Sequence, residues 1–234
     1  NVGGTRTLLE AAQAAGVRKV VHLSSSAIYG APAMNPVHEA TAPAPGEAYG
    51  RAKLAAEQVC LEYRGAGLDV TIVRPRTILG HGRLGIMQIL FEWIRRGAAV
   101  PVLGGGGNRY QFVHADDLAD ACVAASARAG GTEYNIGAAD FGTMLEALRG
   151  LVRHAGTGSR IVSLPMAPME AAMRAASALG VSPLGPYHAL MYGRSLWFDI
   201  GKARRELGFR PRYGNVAMLC QSYDWYLAHR LEVL

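Results

Sequence analysis

The sequence predicts an α/β protein built on a parallel sheet, and three observations predict it. Short apolar or β-branched runs such as VVHL (20–23) and DVTIV (69–73) alternate with longer amphipathic stretches. Each such run is stopped by serines, glycine or proline. The stretches between them are long enough for the crossovers that parallel strands require.

The elements follow in order. Residues 3–15 read as a helix, with Gly16 as its stop. RKVVHLSSS (18–26) is a short apolar run ending in serines, as in a buried strand. The next segment, 29–47, holds four prolines without periodicity and reads as a loop. Residues 48–64 form a second helix ended by GAG (65–67), and LDVTIVRP (68–75) a second strand stopped by Pro75. GIMQILFEWIRRG (85–97) is helical and AVPVLG (99–104) a short strand. YQFVHADDLADACVAASARA (110–129) is a strand running into a helix that Asp116 or Asp117 is placed to cap. TEYNIG (132–137) is a further strand, and 143–156 a helix with Thr143 and Glu146 in capping-box spacing. Beyond it, 166–179 and 215–230 read as helices around a loop at 180–193. Met166, Met169 and Met173, at helical spacing, are expected in the core or on the wall of an apolar pocket.

Composition narrows the function class. The chain has 234 residues, 50% hydrophobic and 18% charged, as for a globular protein with one full core. Its formal charge of +6 comes from scattered basic residues, with no interleaved aromatics of the kind that bind single strands. We therefore expect no nucleic-acid partner. The most apolar helical stretch, 165–181, is interrupted by Glu170 and Arg174, and the opening NVGGTRTLLEAA lacks the pattern of a signal peptide. No membrane partner and a cytoplasmic location are the expectation. Cys60, Cys122 and Cys220 lie far apart with no ligand spacing, so they read as core thiols of a reducing compartment, with no metal.

The chemistry centres on AYGRAK (48–53). Tyr49 and Lys53 are four residues apart and share one helical face. A free phenol titrates near about 10, and a cation one turn away favours its ionised form. Such a tyrosine can exchange a proton with a substrate hydroxyl or carbonyl. The hydroxyls of SSS (24–26) lie at the carboxyl end of the preceding strand, where open α/β sheets bind ligands.

With its order of strand, serines, loop, YxxxK helix, strand and RP, the sequence resembles the extended short-chain dehydrogenase/reductases, in particular the NAD-dependent epimerase/dehydratase branch. VVHLSSSAIYG, YGRAKLAAE, VTIVRPRTILG, FVHADDLADA and FDIGKARRELGFRP carry the resemblance. It implies a partial doubly wound, Rossmann-like parallel sheet with its first units missing, and a small, mainly helical C-terminal substrate subdomain. Residues 1–137 would be the C-terminal part of the dinucleotide-binding domain with interleaved substrate-side elements, and 138–234 mostly the substrate subdomain. It further implies NAD or NADP as cofactor, a small-molecule substrate, and a homodimer formed through the helices at 3–15 and 48–64.

The resemblance assigns roles residue by residue. Tyr49 is the acid/base, Lys53 holds the nicotinamide ribose, and Ser25 is the catalytic hydroxyl, with Ser26 beside it as a substrate contact. Asn1 opens the helix that supports the lysine, and Asn1, Ser24 and Pro75 join Tyr49 and Lys53 on the cofactor side. Thr77 stands where nucleotide-sugar epimerases carry an asparagine. Tyr110 stands where they carry an arginine, with Arg109 one position off. Thr77, Arg83 and Arg109 are the remaining substrate-side candidates. His114 reads as a strand-end core residue. The glycine-rich dinucleotide fingerprint is not found in this sequence, so a truncated N-terminus is expected. LGGGGNRY (103–110) does not replace it, because its glycines lead to a strand and not to a helix N-terminus. Alternatives are an NADPH-dependent reductase or 3-hydroxysteroid-type dehydrogenase, and a non-catalytic dinucleotide-binding scaffold.

Overall fold

The computed structural model describes residues 1–169, 171–172 and 191–233. The elements of the described chain are α1 (Val2–Ala14), β1 (Lys19–Leu23), α2 (Ala48–Gly65), β2 (Asp69–Pro75), β3 (Thr77–Leu79), α3 (Met87–Arg95), β4 (Val100–Leu103) and β5 (Phe112–His114). They continue with α4 (Ala115–Ala127), β6 (Glu133–Ile136), α5 (Met144–Ala155), β7 (Ile161–Leu164), α6 (Gly201–Leu207) and α7 (Asn215–Val233). They divide into two units, one of residues 1–77, 116–137 and 197–210, the other of 78–115, 138–196 and 211–234.

In the first unit, β1, β2 and β6 form a parallel sheet in that order, with Lys19 opposite Asp69 and Val73 opposite Tyr134. The central strand β2 is buried along nearly its whole length, as parallel strands covered on both faces are, and β1 at the edge is only half covered. Leu9 of α1 and Val59 and Cys60 of α2 pack against Leu68, Val70 and Ile72. Salt bridges Lys19–Asp69 (2.8 Å) and Arg64–Glu133 (2.8 Å) link neighbouring strands and helix.

The second unit pairs β3 with β5 and, in parallel, β4 with β7. Its core gathers Phe91 and Ile94 of α3, Phe112 of β5, Leu148 of α5 and Tyr226 of α7, each wholly buried. Thr143 caps α5 in a reciprocal box with Glu146, as its spacing predicts.

Several expectations need correction. The strand at 18–26 stops at Leu23, and its serines leave the ladder to form a 3₁₀ turn, Ser26–Tyr29. Asp116 and Asp117 lie inside the first turn of α4, since that helix starts directly from β5 at Ala115. The strand β7 and the helix α6 were not anticipated; both are short, of 4 and 7 residues, and take their stability from tertiary pairing. Of the helix expected at 166–179, residues 166–169 and 171–172 are helical; Met173, the rest of that helix and most of the 180–193 loop fall outside the described residues. His114 is buried against Tyr213, with ring centroids 4.0 Å apart. Among the described residues no helix is long and apolar enough to cross a membrane.

Candidate active site

The serine turn begins where β1 ends. Ser24 still donates its N–H to Val73 O (2.8 Å), so the sheet fixes its position. Its hydroxyl is buried and has no hydrogen-bond partner among the described residues. Ser25 caps the 3₁₀ turn: its Oγ accepts from Ala27 N at 3.1 Å, and its own proton stays available to donate. Ser26 is buried and accepts from Arg76 Nη1 at 2.8 Å. Gly30 closes the turn at φ +57°, and a Cβ there would meet Ala44 O at 2.3 Å.

The helix α2 supplies Tyr49 and Lys53. Glu47 caps it, accepting from Tyr49 N (3.2 Å) and Gly50 N (3.0 Å). Gly50 lets the first turn of α2 press on the serine turn, because a Cβ there would lie 2.5 Å from Ala27 O. Tyr49 is 45% exposed. Lys53, one turn on, donates to Leu23 O at 2.7 Å. Burial pushes its ammonium below the usual lysine value, and the Glu57 carboxylate partly opposes that shift.

Behind this face runs a buried ionic network. Glu57 takes a two-pronged ion pair from Arg74, with Nε to Oε1 at 3.0 Å and Nη2 to Oε2 at 2.7 Å. Arg74 Nη1 donates to the Tyr29 hydroxyl (2.8 Å), which in turn donates to Asn135 Oδ1 (3.2 Å). Burial raises the Tyr29 phenol, so it stays protonated as a donor. Arg74 thus ties α2 to the serine turn. Sequence reasoning missed Glu47, Gly50, Glu57 and Arg74. Only Glu57 had a local signal, four residues after Lys53 on the same helical face.

The remaining candidates divide between the units. Asn1 is exposed; its carbonyl accepts from Thr5 N (2.9 Å), and its side chain makes no cap bond. Pro75 is buried at the carboxyl end of β2, paired with Ile136, and Thr77 follows in β3. Ser24, Ser25, Ser26, Tyr49, Lys53, Asn1, Pro75 and Thr77 all belong to the first unit. Arg83 and Arg109 belong to the second. Arg83 is exposed in a glycine-rich turn, and the Arg109 guanidinium lies 4.9 Å from the Phe141 ring. In that unit Met169 does line an apolar cavity, of about 350 Å³, with Ile86, Leu90, Pro101 and Leu103. Among the described residues no group of three or more His, Cys, Asp or Glu side chains could hold a metal.

The model of the NAD dependent epimerase/dehydratase family matches residues 1–137, which span every first-unit candidate above. The chain belongs to the NAD-dependent epimerase/dehydratase family. It is 59% identical over 234 residues to the uncharacterized protein y4nG of Sinorhizobium fredii, covering 100% of this chain and 59% of that protein. It is 37% identical over 145 residues to a UDP-glucose 4-epimerase of Mycolicibacterium smegmatis, covering 58% of this chain and 46% of that one. A crystal structure of a DesIV double mutant, a dTDP-glucose 4,6-dehydratase from Streptomyces venezuelae with NAD and DAU bound, superposes with a TM-score of 0.75 at 28% identity, covering 99% of this chain and 67% of that one. The fold is accordingly the α/β, Rossmann-like fold of this epimerase/dehydratase family in part. The chain spans 59% and 46% of the lengths of these two curated relatives.

Proposed function

We propose that this chain forms the proton-handling part of an NAD(P)-dependent epimerase or dehydratase that acts at a carbinol or carbonyl of a sugar-like small molecule. The observation that carries the reading is the close packing of α2 on the serine turn at Gly50, with Tyr49 and Lys53 on one face of that helix.

The residues present suit a nicotinamide dinucleotide. The Ser24 hydroxyl is buried and without a partner, and Lys53 has two ammonium hydrogens beyond the one given to Leu23 O. A bound nicotinamide supplies the acceptor for a hydride from the carbinol carbon. The chain's own groups handle the proton. Ser25 donates its hydroxyl to the substrate oxygen and orients it. Tyr49 removes the carbinol proton as the carbonyl forms; in an epimerase it returns that proton when the carbonyl is reduced again, whereas in a dehydratase the carbonyl remains in the product. Lys53 holds ribose hydroxyls and supplies positive charge one turn from the phenol. Pro75 borders the cofactor. Asn1 lies on the cofactor side, opening the helix that supports the lysine, and Ser26 and Thr77 meet the substrate.

Names of relatives support a nucleotide-linked sugar as the substrate class, since one is a UDP-glucose 4-epimerase and one a dTDP-glucose 4,6-dehydratase. We further propose a homodimer paired through α1 and α2, located in the cytoplasm. The experiment is Tyr49→Phe in the intact protein, with turnover of UDP- and dTDP-sugars and NAD affinity measured side by side. Turnover should fall by about 10²–10⁴ with affinity nearly kept. A variant that keeps most of its rate removes Tyr49 from the mechanism.

A second reading, an NADPH-dependent reductase of an apolar ketone or a 3-hydroxysteroid-type dehydrogenase, is favoured by the aliphatic cavity of the second unit. Net consumption of NADPH would select it over an epimerase, which consumes none.

A further inference from the structure

The second unit holds a cleft of about 780 Å³ bounded by α5 on one side and by β4 and β7 on the other. Its floor is aliphatic: Leu145 and Val152 come from α5, Val102 and Ile161 from the strands. Three arginines also line it. Arg149 and Arg153 sit four apart on α5, and Arg160 immediately precedes β7. All three are exposed, and none forms an ion pair with a described residue.

Two nearby carboxylates hydrogen-bond elsewhere, although the Arg149 charge still reaches Glu146 and helps lower its carboxyl. Glu146, the one acidic residue lining the cleft among the described residues, accepts from Thr143 N (2.7 Å) and Thr143 Oγ1 (2.9 Å) in the α5 cap. Asp224 is taken by His154 at 2.7 Å. Two like charges at i and i+4 weaken a helix. A third facing them across a concave, aliphatic surface adds to a positive potential that such a shape focuses.

We propose that this cleft is a binding site for a phosphorylated small molecule of nucleotide size. Guanidinium forks match phosphate oxygens two at a time, and three arginines lining one cleft can supply such forks. The aliphatic floor would cover the less polar body of the ligand. Ser163, whose Oγ accepts from Gly105 N at 3.0 Å, keeps its hydroxyl proton to donate at the cleft wall. The volume lies within the usual span of small-molecule sites, and the charges are gathered at one concave place instead of along a track for a polymer. The site uses residues of the second unit alone, so it does not depend on the chemistry proposed for Tyr49.

The test uses the intact protein with methyl-labelled isoleucine, leucine and valine, kept saturated with NAD so that any dinucleotide site is filled. ADP, inorganic pyrophosphate and adenosine are titrated separately. ADP and pyrophosphate should shift the Ile161, Leu145 and Val152 methyl signals saturably, less tightly as salt rises, and adenosine should not. Arg149→Gln/Arg153→Gln and, separately, Arg160→Gln should each weaken ADP by about tenfold or more. A thermal melt checks that the double variant stays folded, as relief of the like-charge pair offsets the loss of the Arg153 charge in the last turn of α5. Silent methyls, an equal response to adenosine, or unchanged ADP affinity in the variants would overturn the proposal. So would a response to an acidic peptide or an oligonucleotide with none to either phosphate.

Discussion

Lys53 Nζ lies 2.7 Å from the carbonyl oxygen of Leu23, the last residue of β1. The bond anchors the ammonium at the carboxyl end of the strand and leaves two of its hydrogens to point elsewhere. Lys53→Ala should therefore weaken NAD binding and turnover together, where Tyr49→Phe lowers turnover alone. A fluorescence titration of NADH beside rate measurements checks it. A variant with unchanged NADH affinity would remove Lys53 from the cofactor.

Gly50 sets how near α2 comes to the serines. Gly50→Ala places a methyl 2.5 Å from Ala27 O, a backbone atom that cannot swing aside. The cost should be about 1–3 kcal/mol, the range for overpacking a tight contact. Urea unfolding of the intact protein measures it. The variant's residual activity should fall further than its stability, since the shift falls between the hydroxyl and phenol groups.

Glu57 and Arg74 are both almost wholly buried. Glu57→Gln or Arg74→Met alone leaves an uncompensated buried group and should cost about 3–5 kcal/mol. The double variant should lose much less than the sum of the two. A double-mutant cycle in denaturant reads the coupling, and additive losses would show that the pair is not acting as a unit. In the double variant the Lys53 ammonium should titrate lower still, because Glu57 raises it in the parent; the Lys53 Cε resonance follows this directly, with His22 and Cys60 as the other titrating neighbours.

Cys60 is buried on α2, and burial pushes its thiol up to about 11. It should react with iodoacetamide near pH 8 far more slowly than an unfolded thiol, since the thiolate is the nucleophile. Peptide mapping after timed alkylation gives the rate for each cysteine. Rapid labelling of Cys60 in the folded protein would contradict this packing.

Glu92 accepts from Arg95 (2.9 Å) and from the Tyr226 hydroxyl (2.6 Å), bonds that hold its carboxyl well below the usual carboxylate range. A carboxyl lowered on folding adds stability above its unfolded value of about 4.3, and that contribution disappears as pH falls through its folded value. Glu92→Gln should thus cost about 1–3 kcal/mol at neutral pH and progressively less in acid. Urea midpoints of parent and variant near pH 7 and near pH 3.5 test the sign. An equal difference at both would refute it.

What was legible in the sequence was what chain spacing encodes. Tyr49 and Lys53 declare their shared face through a four-residue interval, and Thr143 with Glu146 declares a cap through three. The Glu57–Arg74 pair could not be read this way, because its partners are 17 residues apart and meet only once β2 lies under α2. Gly50 looked like an ordinary helix residue, since its purpose is the space it leaves for Ala27. The short strand β7 has too few residues for periodicity, and its pairing with β4 joins Ile161 to Val100 from far along the chain. The end of β1 was misjudged because serines suit both a strand and a turn, and the Ser25 cap decided between them.

The two units are interleaved along the sequence: the backbone passes between them after Thr77, Ala115, Gly137, Leu196 and Arg210. Neither can be excised as a continuous stretch, so no single protease cut or gene fusion point can separate them cleanly. A chimera that exchanged one unit for another would need a junction at each of the five crossings.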